Sequence, residues 1–140
     1  LKGVHPLIRR QQAVEATMAR FVARPLAYGR DDCARMVVFC LKRQGLKVGL
    51  LTSGRYASAL GAAKALRRTG FATLPDAVDG LGLPRIAPAR VLAGDVLSLP
   101  AEAFGGALMI AVGNGRAFGY FDGLFQVGEP HLIDAAWRSI

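Results

Sequence analysis

Two cysteines, two histidines and an adjacent aspartate pair are the side chains of this 140-residue sequence whose types and spacing could do chemistry. Asp31 and Asp32 stand directly before Cys33. Aspartate is a preferred N-cap, so the spacing predicts a helix over Cys33 to Gln44 with Gly45 as its left-handed stop. A thiol at the first helical position meets unpaired backbone N–H groups and the positive end of the helix dipole, which favour the nucleophilic thiolate. Arg30 and Arg35 would reinforce that effect, Asp31 and Asp32 would oppose it, and spacing alone leaves the sign open. The competing role is a small thiol packed on the core stripe formed with Met36, Val37, Cys40 and Leu41. Cys40 lies two helical turns on, roughly 10 Å along the axis, which is beyond disulfide reach, so both cysteines are expected to be free.

His131 and His5 are the available bases. His131 follows Pro130 in an expected surface loop, and His5 precedes Pro6 ahead of the first helix, where a base is hard to hold in place. With no paired Cys or His clusters at ligand spacing, zinc has too few donors; neither a metal nor another cofactor is expected.

Several elements must position these groups. Leu7, Val14, Met18, Phe21 and Val22 recur at helical intervals from Pro6 to about Val22, with Arg9, Arg10, Gln11, Gln12 and Arg20 assigned to the other side. Pro25 closes that helix. A third helix is expected over Tyr56 to Arg68, and a single helical turn around Asp76 to Val78. From Gly94 the periodicity changes: Val96 to Leu99, Ala107 to Val112, Arg116 to Tyr120 and Leu124 to Val127 are β-prone runs separated by turn signals, and Ala135 to Ile140 could add a final strand. The expected class is α+β, with N-terminal helices packed on one side of a C-terminal antiparallel sheet. One domain over 1–140 is expected, comprising an N-terminal helix in 1–24, a helical half with Cys33 in 25–70 and the sheet in 94–140. Trp137 and Arg138, near Phe118, Tyr120, Phe121 and Phe125, would suit a docking surface or fill the sheet's core.

The order of these features resembles a known family. Tyr28, Gly29, Asp32 and Cys33, followed by Met36 and Val37, resemble the nucleophile segment of the NlpC-type papain-like cysteine peptidases, which cleave peptide bonds in bacterial cell walls. Gly94, Asp95 and Val96 resemble their Gly-Asp strand, and ALMIAVGNG over Ala107 to Gly115 resembles the strand and hairpin that follow. The likeness spans residues 25 to 120, and the short Tyr-Gly-x-x-x-Cys spacing is most similar to compact relatives in bacteriophage tail-assembly gene sets. The resemblance implies a papain-like fold with Cys33 as nucleophile and Tyr28 beside it. In the peptidases a His opens the strand after Gly-Asp and takes the thiol proton; the matching residue here is Ala107. A thiol without a positioned base loses a factor of about 10² to 10⁴.

The expected function is therefore a structural or assembly component of a phage tail tip or hub with a degenerate peptidase fold. It would assemble in the host cytoplasm, reside in the virion and contact other tail proteins as part of an oligomer. The rival is an active cysteine peptidase acting on wall peptides during phage entry, with His131 as an unconventional base.

Charge and composition bound these readings. Apolar residues make up 52% of the chain, against disorder, and the longest charge-free stretch is too short for a membrane span. The N-terminus shows no basic start and apolar run of a secretion signal. Residues 1–70 hold fourteen Lys and Arg against three acids, whereas residues 71–140 hold four Arg against seven acids. That asymmetry could steer subunits head to tail or attract an acidic surface. A cytoplasmic nucleic-acid binder using residues 1–70 ranks last, because its basic residues are not interleaved with stacking aromatics.

Overall fold

The computed structural model describes residues 3–52 and 55–140. Helices α1 (Pro6–Phe21), α2 (Cys33–Arg43), α3 (Ala59–Arg68) and α4 (Leu74–Asp79) come first in the chain. Strands β1 (Val96–Leu99), β2 (Ala107–Gly113), β3 (Arg116–Phe121), β4 (Leu124–Gly128) and β5 (Ala135–Trp137) follow. They form one antiparallel sheet in the order β4-β3-β2-β1-β5. The class is α+β, as the change of periodicity at Gly94 implies.

Alternation along each strand sends successive side chains to opposite faces. Val96, Leu108, Ile110, Phe118 and Trp137 join the core shared with α1, α2, α3 and α4. Leu97, Met109, Ala111, Ala117 and Ala136 face the other way and are covered by Ile86, Val91 and Ile133. Trp137 is wholly buried, with its indole N–H donating to Asp79 at 2.8 Å, so it is core and not a docking aromatic.

Each helix begins where a side chain can receive its free N–H groups. Asp32 caps α2, Ser58 caps α3 and Thr73 caps α4. α3 starts at Ala59, three residues later than the expected Tyr56, because the Ser58 hydroxyl accepts from Gly61 N–H at 3.0 Å while Tyr56 is held elsewhere by its own hydroxyl. α2 stops one residue short of Gln44, whose buried side chain is bound to the Gly94 carbonyl. The turn expected at Asp76 to Val78 is the centre of α4. β5 ends at Trp137 because Arg138 N–H pairs with Pro84 O and Ser139 N–H with Asp95.

The largest departure is in α1. Its buried stripe is Arg10, Ala13, Val14, Thr17 and Phe21, whereas Leu7 and Val22 are more than half exposed. Its charge predicts exposure for Arg10, yet it is 3% exposed because the fold supplies an aspartate and two carbonyls to receive its guanidinium. A buried cation is tolerated only when paired in this way.

Candidate active site

Asp32 organises the segment that carries Cys33. Its Oδ1 accepts from Arg35 N–H at 2.8 Å; its Oδ2 accepts from Gly29 N–H at 2.8 Å and from the Tyr56 hydroxyl at 2.7 Å. The Tyr56 backbone crosses so close to the turn that a Cβ at Gly29 would lie 2.0 Å from its carbonyl oxygen, and Gly29 has φ +88°. Glycine is required there on both counts. Burial, with the Asp32 hydrogen bond adding to it, pushes the Tyr56 phenol well above its ordinary range.

Asp31 is not a second cap. It is buried beside Arg20 at 2.9 Å and Arg30 at 3.1 Å, with Arg24 at 4.0 Å. Burial by itself would raise its carboxyl, but the hydrogen bonds from Arg20 and Arg30 outweigh it and hold the group below the usual range. Arg30 is therefore directed to Asp31, and Arg35 donates to the Leu50 carbonyl while lying over the Tyr56 ring.

Cys33 is half-buried at the first position of α2. Burial, followed by the neighbouring Asp32 carboxylate, pushes its thiol up to about 11, while the backbone N–H groups of Leu108, Ala34 and Cys33 itself act in the opposite sense. The sign left open by spacing is therefore set by desolvation, which disfavours the thiolate more than helix-end amides favour it. The Leu108 contact places the opening of β2 against the thiol, and Ala107 is the residue immediately before it. Tyr28 lies with its ring 6.4 Å from that of Phe104, three residues before Ala107. Phe104 has φ +60°, a left-handed conformation that costs a bulky L residue on the order of 1–2 kcal/mol. Tyr28 and Phe104 line a cavity of about 450 Å³ together with Leu60, Leu66, Arg67 and Glu102.

Neither imidazole reaches the thiol. His131 is exposed and lines a cavity of about 270 Å³ with Leu99, Met109 and Phe121, on the face of the sheet opposite Leu108. His5 is the N-cap of α1, its Nδ1 accepting from Leu7 N–H at 3.1 Å. Arg20 reaches Asp31 while Arg9 lies against Gly45, so α1 and α2 run antiparallel and His5 sits at the end of α2 remote from Cys33. Both cysteines are free thiols, Cys40 being wholly buried against Gln44.

A second buried polar cluster, which no sequence spacing announces, joins Arg10, Gln44, Asp95 and Ser139. Asp95, at the mouth of β1, takes Arg10 and Ser139 N–H on Oδ1, each at 2.9 Å, and Leu92 N–H at 2.9 Å on Oδ2, with Arg138 at 3.2 Å from that oxygen. Gln44 extends the cluster by donating to Gly94 O and accepting from the Ser139 hydroxyl. Gly94 has φ +91°, and a Cβ there would press on the Gln44 amide at 2.9 Å. The Gly-Asp pair is visible in the sequence; its partners Arg10 and Ser139 lie 85 and 44 residues away and no periodicity links them.

A family profile described as a domain of unknown function, DUF6950, matches residues 7–139. The chain belongs to the DUF6950 family. Among solved structures it is similar to NlpC2 from Trichomonas vaginalis, with a TM-score of 0.54 at 12% identity. The alignment covers 93% of this chain and 47% of that one, so this DUF6950 chain spans about half the length of that protein. The likeness establishes an NlpC-type, papain-like fold for this DUF6950 member. Comparison with curated protein sequences returned no significant match.

Proposed function

We propose that this DUF6950 domain is a structural or assembly component of a bacteriophage tail tip or hub, in which a peptidase-like scaffold serves as a binding module without hydrolysis. The observation that carries the loss of hydrolysis is the pairing of Cys33 with the opening of β2: the residue preceding Leu108 is Ala107, with no ring nitrogen to take a proton, and the thiol is held near 11. Hydrolysis by a thiol needs both a base for the nucleophile and an acid for the leaving amine. His131 and His5 are directed elsewhere. The tail assignment rests on the Tyr28-Gly29-x-x-x-Cys33 spacing and its resemblance to compact tail-associated relatives.

The test has two parts. Incubated with muropeptides at pH 7.5, the purified chain is expected to release no product above the level of its Cys33→Ala variant. In washed phage particles from a host carrying the gene, the chain is expected at a fixed copy number per tail. Cysteine-dependent cleavage would restore the rival reading of an active wall peptidase, and absence from particles would remove the tail assignment.

A further inference from the structure

Two exposed surfaces of opposite charge lie on opposite sides of the sheet. In the helical layer, the end of α2 opens into a groove of about 700 Å³ with Lys42 and Lys47 on its rim and Leu46, Val48 and Thr52 along it. No acid lines this groove among the described residues, and neither lysine forms an ion pair with a described residue.

On the opposite side of the sheet, Glu129-Pro130-His131-Leu132-Ile133-Asp134 crosses between β4 and β5. Ile133 packs against the outer cluster around Leu97, and Asp134 N–H is bound to Ser98 O at 2.8 Å. The segment is thus anchored at its C-terminal end while Leu132 projects at 69% exposure between two exposed carboxylates. Neither Glu129 nor Asp134 has a described ion-pair partner.

The two surfaces complement each other in kind: acids flanking an exposed leucine, and lysines flanking an apolar floor. Because the sheet separates them, one chain cannot satisfy both from its own residues. We infer that the occupant of the Lys42/Lys47 groove is the 129–134 segment of a second copy of this chain, in a head-to-tail contact that repeats from copy to copy. An interface of two different surfaces closes into a ring or extends as a filament according to its rotation. Opposite charges at its rim steer the encounter and make it salt-sensitive. This contact is independent of the peptidase-like site and of the tail assignment.

Sedimentation velocity on the full chain tests it. The chain is expected to self-associate at 50 mM salt and to weaken at least tenfold at 500 mM. Glu129→Lys/Asp134→Lys and Lys42→Glu/Lys47→Glu should each be monomeric, and an equimolar mixture should regain association because each reversed surface meets its complement. Thermal unfolding checks that both variants fold, and Leu132→Ser, which leaves the charge unaltered, should weaken association several-fold. A chain that is monomeric at low salt, a variant that still associates, or a mixture that stays monomeric would each overturn the contact. Binding of an oligonucleotide or another acidic protein without self-association would do the same.

Discussion

Asp95, fully buried, and Cys33, half-buried, belong to the same scaffold and are treated in opposite ways. At Asp95 the negative charge is met by two arginines and two backbone N–H groups, drawing α1, β1 and the C-terminal segment to one point. At Cys33 the neighbouring charge is the Asp32 carboxylate, and among the described residues the donors to the sulfur are backbone amides. One site surrounds its carboxylate with donors; the other holds its thiol neutral by burial beside a carboxylate. The Gly94-Asp95 pair therefore has a structural duty in this fold, whereas no described contact of the Cys33 thiol requires its ionisation.

The comparison breaks most severely at Asp95. Replacing it with Ala leaves Arg10 buried without its counter-charge and is expected to cost about 3–5 kcal/mol in denaturant unfolding, the usual range for halving a buried pair. The double change Arg10→Met/Asp95→Leu should recover much of that loss; if it does not, the cluster is held by more than charge balance.

A smaller loss tests the cap. Asp32→Ala removes the acceptor for Gly29, Arg35 and Tyr56, with an expected cost of about 2 kcal/mol and a fall of the Tyr56 phenol towards its ordinary range, visible by ultraviolet titration.

The contrast sharpens with chemistry. With its thiol near 11, Cys33 is in the thiolate form at about one part in a thousand at pH 8. Alkylation by iodoacetamide should be slow at pH 8 and accelerate about tenfold per pH unit towards pH 10, since a raised value needs higher pH to expose the nucleophile. Cys33→Ser identifies the signal that belongs to this thiol. Introducing an imidazole as Ala107→His should raise alkylation at pH 7 by about tenfold or more if that position faces the sulfur, since an imidazolium favours the thiolate. An unchanged rate would show that the strand position does not correspond to the peptidase base.

The least effect is expected at Asp79. Arg85 and Trp137 hold its carboxyl at about 2, so it contributes stability above about pH 4 that is lost as pH falls towards 2. Because this pair is half exposed, solvent screening limits Asp79→Asn to about 1 kcal/mol or less. A larger loss would mean that the Trp137 indole hydrogen bond, not the ion pair, dominates.

Much of the scaffold was legible. Asp32 before an uninterrupted helical run, Gly45 after it, and the Gly-Asn-Gly turn between β2 and β3 announce their elements through backbone chemistry that neighbouring residues supply. α3 starts later than its apolar periodicity implies because Ser58 decides where its N–H groups find an acceptor. Arg10 departs from its expected exposure because charge is a sound guide to exposure only when no buried counter-charge is waiting. At the candidate site, the position of Cys33 at a helix start could be read, and its ionisation could not.

Residue type and spacing determined the order of helices and strands, that a thiol opens α2 behind an aspartate cap, and that β2 opens on Ala107. Only tertiary structure decided that Arg10 lies inside, that Arg30 and Arg35 turn away from the thiol, and that His131 and Cys33 fall on opposite faces of one sheet. Local backbone preferences act over a few residues and are written in order along the chain. Burial and electrostatic pairing depend on distances between groups many residues apart, and those exist only once the sheet has closed against the helices.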